Sequence, residues 1–70
     1  MFMEIAELKR AILSLQVDIR AFEERYQMSS DEFYGRFGEG AESDSEDFII
    51  WAGLHEMLRE NQRVLEELGL

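Results

Sequence analysis

Ile5, Leu8, Ile12, Leu15, Ile19, Phe22 and Tyr26 recur at spacings of 3, 4, 3, 4, 3 and 4. A strand would alternate every second residue. This interval instead holds one stripe of an α-helix turned toward a neighbour. The pattern predicts a helix over about residues 3–27. Its apolar stripe has to be covered, and with only 70 residues the chain makes a single domain, 1–70. The cover must come from the rest of the chain or from a second molecule.

Near this length a core supplies roughly 3–5 kcal/mol, so small domains usually add disulfides, a metal or a subunit. The chain has no cysteine, which removes disulfides and thiolate metal sites. Its one histidine, His55, does not make a zinc site within the chain. No cofactor and no metal are expected. Helix packing and oligomerisation remain.

Leu13 and Val17 lie four apart, off the first helix's main stripe. They widen its apolar surface beyond a narrow two-stranded seam and suit a bundle. Glu7, Lys9, Arg10, Arg20, Glu23, Glu24 and Arg25 mark its outward face. Ser29 with Glu32 reads as a capping box, and Met28 with Phe33 as a hydrophobic staple. A short helix is predicted over about 30–37, stopped by the glycines that follow.

After a loop over about 38–43, Ser43 with Glu46 is a second capping box, opening a helix over about 44–68. Ile50, Leu54, Met57, Asn61, Val64 and Leu68 repeat the seam there, with Trp51, Leu58 and Leu65 along its side. Gly69 stands where a C-terminal cap belongs, with Leu70 able to fold back on Leu65. The expected fold is all-α: an antiparallel helical hairpin with a short helical elbow, dimerising into a four-helix bundle.

A net charge of −9 opposes phosphate contacts, so neither nucleic acid nor an anionic membrane surface is expected as a partner. No run approaches the roughly 20 apolar residues of a membrane span. The opening Met1-Phe2-Met3-Glu4 lacks the basic and apolar regions of a signal peptide. A cytoplasmic protein is the expectation.

Between residues 31 and 47, Asp31, Glu32, Glu39, Glu42, Asp44, Glu46 and Asp47 face the single base Arg36, a net of −6. Two readings stand. The acids form a docking surface for a basic partner, or they suit two helix dipoles and a solvated loop. They do not follow a calcium-loop pattern. Phe33, Tyr34, Phe37, Phe48 and Trp51 gather in the same region, either closing the end of the hairpin or anchoring a partner; Tyr34 and Trp51 are the two expected to be partly exposed.

Asn61 interrupts the last seam, either fixing register from a buried position or sitting on the surface. His55 reads as a surface or boundary residue. No nucleophile–base pairing, phosphate loop or His-Glu metal spacing suggests catalysis, and the chain is not expected to be an enzyme.

The stretch Tyr26-Gln27-Met28-Ser29-Ser30-Asp31-Glu32-Phe33-Tyr34, continued by Asp47-Phe48-Ile49-Ile50-Trp51-Ala52-Gly53-Leu54, resembles a family of small helical prokaryotic proteins. Their pattern is YGMSSEEFY…GE…DS.DF.EWAGLYEML, and they are often taken as antitoxins of an adjacent small toxin. The resemblance spans about residues 15–60. Gln27 stands where the family has glycine, Ile50 where it has glutamate and His55 where it has tyrosine. Ile50 in place of an acid enlarges the apolar surface near Trp51. Trp51-Ala52-Gly53 also matches the short WxG motif of secreted helical hairpins, but within a helix rather than at a turn.

The resemblance implies an antitoxin that masks a basic surface of a small toxin. Asp31, Glu32, Tyr34, Asp44, Glu46, Asp47 and Trp51 are the candidate partner-binding residues. The alternative is a self-assembling structural homodimer with no other partner.

Overall fold

The computed structural model describes residues 2–40 and 45–69, with side chains from Ile5 onward. Three helices follow in order: α1 (Phe2–Tyr26), α2 (Ser30–Gly38) and α3 (Glu46–Glu67). There is no strand among the described residues.

α1 ends through backbone conformation. Gln27 takes φ 53°, the left-handed region, and Met28 N–H donates to Glu23 C=O at 3.2 Å. That is the six-to-one bond of a Schellman cap. The Gln27 Nε2 donates to the Glu24 carbonyl at 2.7 Å, meeting another carbonyl left free at the helix end. Ser29 then caps α2, its Oγ accepting from Glu32 N–H at 3.1 Å. The Glu32 carboxylate, expected to return that bond, accepts from Arg36 Nη2 at 3.0 Å. Glu23, placed by its sequence on the outward face, is half-buried, and its Oε2 accepts from Ser30 N–H at 2.9 Å. The end of α1 therefore helps cap the start of α2.

α3 is capped by Ser45, not Ser43. Ser45 is extended (φ −62°, ψ 154°) and its Oγ accepts from Phe48 N–H at 3.2 Å. Glu46 and Asp47 then occupy the first turn, where carboxylates suit the helix dipole. Ser43, Asp44 and Glu42 lie outside the described residues, as does Leu70. The helix closes on Leu68, with Gly69 at φ 75° in the position where a side chain would be strained.

The core is aromatic. Phe33 and Trp51 have no exposed surface, and their rings stack 3.9 Å apart at 3°. Phe22 stacks on the same indole at 5.7 Å, and Tyr26 meets Phe48 edge-on at 5.0 Å. Trp51 Nε1 donates to Ser30 Oγ at 2.9 Å, so the one polar atom of the buried indole is satisfied. Ile12, Leu15 and Ile19 of the α1 stripe are buried, while Ile5, Leu8, Phe22 and Tyr26 are half-buried.

α3 presents a different face to this core than its heptad suggests. Trp51, Ala52 and His55 are buried, and Leu58 and Leu65 are half-buried. Ile50, Met57 and Leu68 are 46%, 55% and 51% exposed; Leu54, Asn61 and Val64 are half-buried. At about 100° per residue the two stripes are neighbours on one helix. The stripe carrying Trp51 wins because its indole alone buries a large apolar area and stacks on rings from both α1 and α2. The regular seam is left facing out.

Candidate partner-binding surface

The acidic residues are placed by two helix starts, those of α2 and α3. Asp31, in the first turn of α2, has a side chain 94% exposed, with Oδ1 3.9 Å from His55 Nε2 on α3. Glu46 opens α3 nine residues before His55, roughly 13 Å away along the axis. Both are exposed. Glu32 is exposed and ion-paired one turn along its own helix with Arg36.

Asp47 is committed within the fold. Its Oδ2 accepts from the Tyr26 hydroxyl at 2.6 Å and from Arg25 Nη1 at 3.0 Å. The Tyr26 bond, then the Arg25 bond and charge, outweigh desolvation and hold the carboxyl below its ordinary value. The same bond and desolvation push the Tyr26 hydroxyl up. Tyr34 is half-buried, and its hydroxyl donates to the Glu56 carboxylate, which raises the phenol likewise.

Trp51, expected to be partly exposed, is fully buried. Its indole is a structural ring of this core and presents no surface to a partner. His55 corrects a second expectation. It is 5% exposed, its ring 4.8 Å from that of Tyr34, and its Nε2 has no hydrogen-bond partner. The approach of α2, which brings Tyr34 and Asp31 over α3, encloses it; spacing along α3 alone carries no signal of that.

The exposed apolar residues were only partly legible. Ile49 is 55% exposed beside Ile50, both within a turn of Glu46. Leu13 and Val17 on α1 are 61% and 69% exposed. An adjacent pair of isoleucines after a helix cap was the available signal, since one amphipathic stripe cannot cover both. Glu60, Arg63 and Glu67 form an ion-paired triad near the end of α3, with Arg63 Nη1 2.6 Å from Glu67 and its Nη2 on Glu60.

Among the described residues no group of three or more His, Asp or Glu side chains is arranged to hold a metal ion, and no helix is long and apolar enough to cross a membrane. No family model matches this chain, and no curated protein or solved structure is significantly similar to it.

Proposed function

We propose that this chain is a non-catalytic protein-interaction module, an antitoxin whose long helices form an antiparallel hairpin and whose acidic end masks a basic surface of a small toxin in the cytoplasm. The observation that carries this reading is the pair Ile49 and Ile50, exposed within a turn of the exposed Glu46. Apolar anchors beside an exposed acid are what a basic partner's surface requires. The acids raise the encounter rate, and the desolvated isoleucines slow dissociation. Asp31, Glu32 and Glu46 serve as the steering charges. Asp47 and Trp51 support the site from within the fold, and Asp44 remains a candidate on sequence grounds.

The test is co-expression of the tagged chain with the genes flanking its own, with the mass and composition of the retained complex determined. Retention of one small basic protein in defined stoichiometry, toxic when expressed alone, supports the reading. A chain that emerges with nothing bound refutes it.

A specific observation favours a second reading, the self-assembling homodimer. Leu13 and Val17 form a further uncovered stripe on α1, pointing away from the buried Ile12, Leu15 and Ile19. Pairing two hairpins into a four-helix bundle would cover it. Light scattering behind size-exclusion chromatography separates the readings: a dimer that persists on dilution supports it, and a monomer ends it.

A further inference from the structure

The outward seam of α3 has a chemistry that selects its occupant. Ile50, Leu54, Met57, Asn61, Val64 and Leu68 hold alternating spacings of four and three, and Ile50, Met57 and Leu68 are about half-exposed. Along one edge of this seam, positions 46, 53, 60 and 67 recur every seven residues and carry Glu46, Gly53, Glu60 and Glu67. In a helix pair such flanking positions choose the partner by charge. Arg63 offsets one of the two distal acids and leaves the Glu60–Arg63–Glu67 triad at a net −1. The opposite edge, Trp51, Leu58 and Leu65, is turned into the fold.

A second copy fits this edge poorly. An antiparallel pairing of α3 with itself that matches Ile50 to Leu68 and Leu54 to Val64 brings Glu60 toward its own counterpart. Each copy also carries −9. Like charges at such positions oppose pairing. A helix bearing Lys or Arg on the facing edge meets the acids instead.

Gly53 adds an independent argument. It sits in the middle of α3, half-buried beside Ile50 and Met57, where glycine weakens a helix relative to alanine. A Cβ built there meets nothing within 4 Å, so no contact inside the chain requires its absence. A glycine on an acidic, apolar helix face does admit the close approach of another backbone or a large side chain.

We infer that the α3 seam is a docking site for a basic amphipathic helix, apolar where it meets Ile50, Met57 and Leu68 and cationic where it meets Glu46, Glu60 and Glu67. This rests on the interaction-module reading above and names the partner's chemistry. Ile50 and Met57 are the anchors, and Gly53 is the notch between helix and helix.

The probe is a fluorescein-labelled three-heptad peptide with Leu at its seam positions and Lys at both flanks, which keep it from pairing with itself. A companion peptide carries Glu at the flanks. Anisotropy titration of the full chain should give one-to-one binding of the Lys peptide, at least about tenfold tighter than the Glu peptide. Met57→Lys and Ile50→Lys should each weaken it about tenfold or more. Leu13→Lys makes the same charge change on the other exposed stripe and should leave affinity unaltered. Gly53→Ala should raise Tm yet weaken binding several-fold. Gly35→Ala, at a helical glycine equally free of contacts, should raise Tm alone.

Equal binding of the two peptides, or retention of full affinity by both lysine variants on α3, overturns the inference. So does a homodimer that Met57→Lys converts to monomer, because the occupant is then a second copy. If these tests fail while co-expression still retains a basic protein, the α3 seam is the wrong surface and the interaction-module reading stands. If co-expression retains nothing, the reading itself has failed.

Discussion

Gln27 is the one described residue other than glycine with positive φ, at 53°, and it closes α1. The left-handed conformation costs an L-residue about 1–2 kcal/mol. Glycine removes that strain but loses roughly 0.5–1 kcal/mol more chain entropy on folding. Between glycine and alanine at this position, the difference is therefore about 0–1.5 kcal/mol in favour of glycine, with a central value of roughly 0.75 kcal/mol. Gln27 itself stands between them, because its Nε2 bond to the Glu24 carbonyl at 2.7 Å offsets part of the strain. At an exposed site such a bond contributes roughly 0.5 kcal/mol. The expected order of stability is Gln27→Gly, then the natural chain, then Gln27→Ala. For a domain this small the outer gap corresponds to roughly 3–6 °C in Tm. Thermal unfolding followed by far-UV circular dichroism, at one fixed protein concentration, measures it. An alanine variant as stable as the glycine variant would refute the argument, since strain at φ 53° would then have no energetic weight.

Other outcomes follow from the core and its rim. Ser30→Ala leaves the buried Trp51 N–H without its acceptor and should cost about 1–3 kcal/mol; urea unfolding, read by the fluorescence of the only tryptophan, gives the value, and an unchanged midpoint would contradict the hydrogen bond. The Tyr26–Asp47 bond should make stability depend on pH at both extremes. The depressed Asp47 carboxyl contributes above its ordinary value of 3.8, and that contribution is lost as pH falls through the lowered value. The raised Tyr26 hydroxyl contributes below 10.0 and is lost as pH rises through the elevated value. The stability difference between the natural chain and Tyr26→Phe should be widest between those limits and shrink outside them; a difference that is flat with pH would count against the bond. Phe33→Ala empties the space stacked on Trp51 at a cost of about 3–5 kcal/mol, comparable to the whole stability of so small a domain, and the variant should show no cooperative transition.

The first helix was legible because a single register dominates it. Ile12, Leu15 and Ile19 sit on that register, and all three are buried. The last helix carries two apolar registers side by side. Spacing favours Ile50, Leu54 and Met57 as the more regular seam, whereas packing chose Trp51, His55 and Leu58. The choice depends on ring volume and on what α2 lays over α3, and neither is a periodic property. The start of α3 was ambiguous for a related reason. Ser43 and Ser45 both offer a capping hydroxyl, and the pairing of Ser43 with Glu46 was the more recognisable, yet it is Ser45 Oγ that accepts from Phe48 N–H. For the candidate surface, the exposure of Asp31 and Glu46 agrees with their sequence. The burial of Trp51 and His55 does not, because both are closed over by residues more than twenty positions away, Ser30, Asp31 and Tyr34.

The aromatic cluster also sets how firmness is distributed along the molecule. Phe22, Phe33, Phe48 and Trp51 interlock at one end of a body 41 Å long, while Ile5, Leu8, Val64 and Leu65 are only half-buried. The rod is riveted at one end and merely zipped toward the other. Brief openings should start at the half-buried outer turns, around Ile5 and Leu8 of α1 and Val64 and Leu65 of α3, and stop at the rings, so that the outer turns of α3 breathe without loosening the whole. A ligand gripping the far half of that helix would be clamping the least secured part of the structure, and the stiffness it imparts would come from the ligand, not from the scaffold.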